Sequence, residues 1–327
     1  MSQDETAERL QAAVGSLREA LGRRLHGQSD VIDGLLIAYM ARGHVLLEGL
    51  PGMGKTLLAR SFAEALGQGF ARVQFTPDVM PSDLVGTNVF DAASGAFRLV
   101  KGPVFTPVLM ADEVNRTPPK TQSALLEAMQ EQQVTIDGQT HALPGGFFVI
   151  ATQNPIEFEG TYPLPEAQLD RFLLRLRVTH PSREQEIAMY RAALAGSLAG
   201  WGDDRPLAPV VEPAVSDALR RASRRIHVAA ELLDYLASLV AAVRDSPHFE
   251  IGVSPRGGLS LLETARAAAF LEGRDFVLPD DVKRWLPACW THRLLLRPES
   301  ELEGLTTTRL LDDIVKAVPV PKGTGAA

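Results

Sequence analysis

At 327 residues the chain is long enough for two domains, since single cores rarely grow much past about 250 residues. Hydrophobic residues make up 45% and charged residues 22%, globular proportions that exclude disorder except at the ends. The net charge of −7, from 33 basic and 40 acidic residues, lacks the basic footprint of a general nucleic-acid binder, although a local patch is compatible with it, and the single cysteine, Cys289, excludes an intramolecular disulfide or multi-cysteine metal site.

The first residues, "MSQDETAERLQAAVGSLREALGRRLHGQ", carry charges throughout and no apolar signal core, so no secretory leader is expected. No window holds about 18 uncharged apolar residues, so no membrane span is expected either, and the location predicted is cytoplasmic. Leu10, Val14, Leu17, Leu21 and Leu25 recur at helical spacing and predict an amphipathic N-terminal helix within residues 1–26. Next, the apolar runs "HVLLEG", "RVQFT", "PVLMADE" and "FFVIATQNP" alternate with helical patterns. Continuous apolar strands separated by helices predict a parallel sheet covered on both faces, an α/β core over residues 27–181.

Two segments interrupt that alternation. In "QFTPDVMPSDLVGTNVFDAASGAFRLVKGPVF" the "AASG" turn separates two strand-like runs, and "QVTIDGQTHALP" has Asp137-Gly138 as a turn; both predict hairpins. The strand pattern stops near "RFLLRLRVTHPS". Beyond Pro181 only helical periodicity remains, predicting an all-helical domain over residues 182–327, with a frayed proline-broken tail. Cys289 reads as a small buried apolar residue rather than a reactive thiol. Arg220, Arg221, Arg224 and Arg225 fall on one helical face, read as solvated or intersubunit in preference to nucleic-acid-binding.

Gly49, Gly54, Lys55 and Thr56 satisfy G-x-x-x-x-G-K-[ST], with an apolar strand before and a helix after. Glycines let the backbone turn its N–H groups inward around an anion, and the following helix adds the positive end of its dipole. The loop residues Leu50, Pro51, Gly52, Met53 and Gly54, with Lys55, Thr56 and Leu57, are thus predicted to hold a nucleoside triphosphate. Lys55 would reach the β- and γ-phosphates and the Thr56 hydroxyl would bind Mg²⁺. The alternative is an ordinary strand-to-helix turn.

"VLMADE" empties a buried strand into Asp112 and Glu113. Asp112 can hold the hydrated Mg²⁺ and Glu113 can orient and deprotonate the attacking water. Two adjacent acids in a solvated loop would look the same, but the apolar strand before them favours hydrolysis. Asn154 ends "VIATQNP", where a doubly wound sheet delivers its strands to the ligand crevice. It could position the water or sense the γ-phosphate, or be a loop amide.

Together these motifs, a polar-ended third strand and a trailing helical domain resemble an AAA+ ATPase. "ADEVNRTPPKTQSALLEAMQEQQVTIDG" and "ATQNPIEFEGTYPLPEAQLDRFLLRL" are close to the MoxR family, and the similarity runs from about Leu25 to Asp281. The resemblance implies an ATP-hydrolysing core, a helical lid and a ring of identical subunits, most often six. It implies that Arg171, in "PEAQLDRF", serves the neighbouring subunit's γ-phosphate, where the alternative is a salt bridge with Asp170 or a nearby acid. Arg116 is a weaker interface candidate. Gly27 and Gln28 match the segment that cups adenine, and the hairpins match loops that face the pore or substrate.

Arg256 in "VSPRGGLSLLETAR" is read from its own position. Ser254 suits an N-cap and Pro255 the first helical position, so Arg256 sits where the helix dipole repels a cation, a conflict that a phosphate would relieve. The sensor-2 arginine of AAA+ lids agrees.

For the function, the resemblance implies remodelling, activation or assembly of partner proteins, often with a von Willebrand factor A domain. A metal-chelatase motor subunit is a variant of that reading. A nucleic-acid motor and a regulatory nucleotide switch are the alternatives. The acidic balance disfavours the first, and Glu113, Arg171 and Arg256 disfavour the second.

Overall fold

The structure, a computed structural model, describes residues 3–154, 160–199 and 205–321. Parts of four of the segments quoted from the sequence, residues 1–2, 155–159, 200–204 and 322–327, lie outside the described residues.

Helix α1 (Gln3–Arg24) buries Leu10, Val14, Leu17 and Leu21, the stripe its spacing demands, with Leu25 buried just beyond it, and α2 (Ser29–Met40) follows. Strand β1 (Val45–Glu48) leads through the glycine-rich loop into α3 (Lys55–Ala65). Strand β2 (Phe70–Gln74) and the short α4 (Pro81–Val85) precede a hairpin of β3 (Gly86–Asp91) and β4 (Ala96–Lys101). After β5 (Val108–Asp112) and α5 (Pro119–Glu131) comes a second hairpin, β6 (Gln133–Ile136) and β7 (Gln139–Ala142), then β8 (Phe148–Gln153). The chain continues through α6 (Glu166–Leu169), β9 (Leu174–Arg177), α7 (Arg183–Leu194), α8 (Pro213–Ala222) and α9 (Ala230–Arg244). It ends with β10 (Phe249–Ile251), α10 (Pro255–Leu271), α11 (Pro279–Trp290), β11 (Leu295–Leu296), α12 (Pro298–Leu302) and α13 (Thr307–Ala317). No described helix is long and apolar enough to cross a membrane.

The main sheet has five strands in the order β2-β5-β8-β1-β9, and the β2–β5, β5–β8 and β8–β1 pairs are parallel. Strands β1 and β5 are buried along their whole length and β8 along all but its last residue, which is why their sequences read as unbroken apolar runs. From β1 the chain crosses to β2 at the far edge, works back through β5 and β8, and places β9 on the other flank. Strand order thus reverses at β1, the switch point where such sheets open a ligand crevice beyond their carboxyl ends.

Contacts divide the chain into two units. One comprises Met1–Leu35, His44–Leu164 and Leu176–Ala218; the other comprises Leu36–Gly43, Pro165–Arg175 and Leu219–Ala327. The strand pattern changes at residue 182, whereas contacts group α7 with the sheet.

Within the sheet-bearing unit, both hairpins form at the expected turns. Asp137 and Gly138 take φ 48° and 79°, and Asn88 of the first hairpin donates to Asp137 of the second at 2.8 Å. The first hairpin carries a facing pair of exposed rings, Phe90 and Phe97, with centroids 5.4 Å apart.

The helical unit packs α10 against α11, with Trp290 fully buried and its Nε1 donating to the Gly257 carbonyl at 3.0 Å. It also holds a two-stranded ribbon of β10 and β11 that helical periodicity does not reveal. The four arginines Arg220, Arg221, Arg224 and Arg225 do not share the one helical face that their spacing predicts, because helix α8 ends at Ala222 and a 3₁₀ turn (Ser223–Arg225) follows. Arg220 is buried, its guanidinium 5.1 Å from the Tyr39 ring centre, while Arg221, Arg224 and Arg225 are exposed.

Candidate active site

Strand register gathers the motif residues of the sheet-bearing unit at one edge. Gln74 stands beside Asp112, Leu47 beside Thr152, and Glu48 beside Gln153, so β2, β5, β8 and β1 end in a row of polar groups. The glycine-rich loop leaves this row directly after Glu48, Glu113 directly after Asp112, and Asn154 directly after Gln153.

The two acids sit in a closed network. Asp112 is buried; its Oδ1 accepts the Thr152 hydroxyl at 2.5 Å and its Oδ2 accepts Arg72 Nη2 at 2.6 Å and Nε at 3.1 Å. The same Arg72 donates to Gln74 Oε1 at 2.7 Å, and Gln74 Nε2 donates to Glu113 Oε2 at 2.8 Å. The Glu113 N–H returns to Thr152 Oγ1 at 2.9 Å. Arg116 pairs with Glu113 Oε2 at 3.1 Å.

Glu113 also has left-handed backbone, φ 59° and ψ 51°. For a residue with a Cβ that conformation costs of order 1–3 kcal/mol and persists where surrounding bonds enforce it, a pattern concentrated at functional sites. Here the Thr152 hydroxyl holds the Glu113 backbone N–H and the Gln74 amide holds its carboxylate.

In the loop, Gly52 and Gly54 have φ 81° and 76°, which side chains disfavour, and nothing lies within 4 Å of where a Cβ would stand on either. Gly54 caps α3, so the loop runs directly into the helix N-terminus, where free N–H groups and the helix dipole favour an anion. Lys55 Nζ donates to the carbonyls of Gly49 and, at 3.1 Å, Leu50. A phosphate offering several oxygens can exchange for those carbonyls.

A cavity of about 570 Å³ opens on this loop, within the range of small-ligand sites. Pro51, Gly52, Met53, Gly54 and Leu57 line it, and Gln28 joins them while donating to the Thr179 carbonyl at 3.2 Å. Gly27 is not among its lining residues. It has φ 75° and packs against Gln185, whose Oε1 would lie 2.4 Å from a Cβ there. Other walls were missed in the sequence, among them Arg24, Leu25 and His26 at the end of α1, His180 and Pro181 after β9, and Glu186, Met189 and Tyr190 on α7. A signal existed for the last group. Ser182 and Gln185 form a capping box, marking a helix that starts just past a strand's carboxyl end.

The donor set suits a hard cation. Asp112 and Thr56 offer a carboxylate and a hydroxyl, the oxygen ligands Mg²⁺ accepts beside waters and phosphate oxygens. That Asp112 already pairs with the Arg72 cation agrees with positive charge being favoured there.

Arg171 and Arg256 belong to the helical unit. Arg171 is half-buried and, among the described residues, forms no ion pair; the Asp170 carboxylate is taken by Arg293 at 2.7 Å and Ser254 at 3.2 Å. Arg256 is exposed in the first turn of α10, where Ser254 is the N-cap, its Oγ accepting Gly257 N–H at 3.0 Å, and Pro255 is the first helical residue.

Residues 44–174 match the "ATPase family associated with various cellular activities (AAA)", and residues 241–314 match the AAA lid domain. YeaC of Bacillus subtilis (strain 168), itself described as uncharacterized, is 42% identical, covering 96% of this chain and 97% of its own. Chaperone MoxR1 of Mycobacterium tuberculosis is 38% identical over 97% of this chain and 85% of its own, and Protein MoxR of Paracoccus denitrificans is 33% identical over 92% and 94%. A crystal structure from Cytophaga hutchinsonii, described as a candidate ATPase, superposes with a TM-score of 0.88 at 37% identity, covering 98% of both chains.

Proposed function

The chain belongs to the MoxR family of AAA+ ATPases, and on that premise we propose that it hydrolyses Mg²⁺-bound ATP within a homo-oligomeric, hexameric ring to remodel or activate partner proteins. The observation that carries this reading is the shared sheet edge, where the phosphate loop leaves β1 and a strained Glu113 leaves β5.

In this reading the N–H groups of Leu50 to Gly54 cradle the phosphates, Lys55 leaves the loop carbonyls for the β- and γ-oxygens, and Gln28 and Gly27 shape the base end. Thr56 and Asp112 would hold the metal, which when bound would neutralise charge on the phosphate oxygens. Glu113 takes the proton of the attacking water, and Asn154 aligns that water. Arg171 serves the neighbouring subunit's γ-phosphate, and Arg256, the lid arginine, also reads a γ-phosphate.

The functional division proposed is a helix over 1–26, a core over 27–181 and a lid over 182–327. A partner with a von Willebrand factor A domain and a cytoplasmic location complete the proposal. A chaperone among the relatives and the exposed Phe90–Phe97 pair support a protein substrate.

Glu113→Gln tests the reading. It is expected to keep ATP binding and assembly, measured by nucleotide titration and by sizing, and to lose turnover by about 10²-fold or more. Turnover near the unsubstituted rate would reject the assignment.

A further inference from the structure

The helical unit contains a second polar centre, at which Arg293 ties the segment around Arg171 to the start of the helix bearing Arg256. The Arg293 side chain is 2% exposed. Its Nε donates to Asp170 Oδ1 at 2.7 Å. Its Nη2 donates to the Phe172 carbonyl at 2.7 Å and to the Asp170 carbonyl at 3.3 Å, and its Nη1 to the Leu173 carbonyl at 3.1 Å. The residues on both sides of Arg171 are therefore pinned by one guanidinium, while the Arg171 side chain forms no ion pair among the described residues.

The same guanidinium reaches α10. Nη2 donates to Ser260 Oγ at 3.3 Å, and Asp170 Oδ2 accepts the hydroxyl of Ser254, the N-cap two residues before Arg256, at 3.2 Å. Gly257 makes the close approach possible: a Cβ there would stand 3.2 Å from Arg293 Cδ and 2.9 Å from Val253 Cγ1. Nη1 also donates to the Cys289 carbonyl of α11, and His292 Nε2 meets the Phe172 carbonyl at 3.0 Å, so the hub is anchored in the core. An arginine fork can hold several acceptors in fixed relative directions, which a lysine cannot.

We propose that Arg293 and Asp170 are positioning residues that fix Arg171 and Arg256 at one mutual spacing. The two arginines proposed to read γ-phosphate then move as one body. A displacement at Arg256 is passed to Arg171 through the Ser254–Asp170–Arg293 chain of bonds. This rests on the roles proposed above for the two arginines.

The test is a double-mutant cycle in the full-length chain, with turnover, ATP affinity and melting temperature measured for every variant. Asp170→Asn keeps the shape but loses the carboxylate charge. Arg293→Lys keeps the charge and drops the fork. Each is expected to reduce kcat by about 10²-fold, the scale of a displacement near 1 Å, with KM for ATP changed much less. Adding either substitution to Arg171→Ala is expected to cost little more than Arg171→Ala alone, because a positioning residue acts through the group it positions.

Additive losses, or losses of turnover that follow melting temperature across the series, would overturn the proposal and leave the pair as a structural clamp. Should Asp170→Asn fail to fold, the Arg293→Lys arm decides by the same criterion. An Arg171→Ala chain turning over normally would reject Arg171 itself. Loss in Arg171→Ala with full activity in Asp170→Asn and Arg293→Lys would reject only the positioning role.

Discussion

The hydroxyl of Thr152 donates to Oδ1 of Asp112 at 2.5 Å, and its own Oγ1 accepts the backbone N–H of Glu113 at 2.9 Å. One buried side chain on β8 thus fixes both acids that end β5. Thr152→Val removes the hydroxyl and leaves a buried carboxylate oxygen and a left-handed N–H without this partner. A buried polar group left unsatisfied costs about 1–3 kcal/mol. Turnover is expected to fall about tenfold or more, and Thr152→Ser to recover most of it. Phosphate release beside a melting curve checks this; a folded Thr152→Val chain within twofold of normal turnover would show that the hydroxyl does not set the acid geometry.

Arg72 holds the other oxygen of Asp112 with two nitrogens. Any cation taken up by Asp112 must share or displace that contact. The Arg72 side chain is 44% exposed, so the pair is worth about 1 kcal/mol at most, or roughly fivefold in an equilibrium. Replacing Arg72 with Gln is expected to lower the Mg²⁺ concentration that half-saturates metal-dependent nucleotide binding, by up to that factor. The titration is read in a Glu113→Gln background, by fluorescence of a bound nucleotide analogue, so that turnover does not enter. An unchanged or higher Mg²⁺ requirement would mean that Arg72 does not compete for Asp112.

The sheet was legible because β1, β5 and β8 are buried on both faces and their sequences say so. The phosphate loop was legible because its glycines and lysine follow one another in the chain. The Asp112–Arg72–Gln74–Glu113 network was not, since it joins β2 to β5 through a register fixed only by folding. Tyr190 was missed because contacts, not the hydrophobic pattern, place α7 with the sheet. Arg220 was misread for a related reason: a cation can cover an aromatic ring and be buried, and spacing alone does not distinguish that from a solvated face. Arg293 gave no local signal at all. Its acceptors at Asp170, Phe172 and Leu173 lie more than a hundred residues away in the chain.

His292 gives the helical unit a pH dependence of definite sign. Burial first, and then the neighbouring Arg293 charge with a smaller one from Arg175, hold its pKa well below the ordinary 6.5. Folded, the ring stays neutral; unfolded, it binds a proton as pH falls through about 6.5. The unfolded state then carries more protons, so stability drops with falling pH, by at most about 1.4 kcal/mol per pH unit from this group, and is flat above neutrality. Denaturant melts at pH 7.5, 6.5 and 5.5 are expected to show a steeper loss in the parent chain than in His292→Gln. Parallel curves would mean that His292 titrates alike in both states.

Cys289 offers a reporter on the same hub. It is fully buried, burial pushes its thiol pKa up, and its carbonyl accepts from Arg293. A thiol reagent needs an exposed thiolate, so labelling must wait for the helical unit to open. The native chain is expected to react at least about 10²-fold more slowly than the denatured one, which should release one equivalent per chain. Arg293→Lys, by loosening α11 from the segment around Arg171, is expected to speed native labelling several-fold. Fast labelling of the parent chain would contradict the buried placement of α11, and an unchanged rate in Arg293→Lys would place the opening that exposes Cys289 elsewhere in the unit.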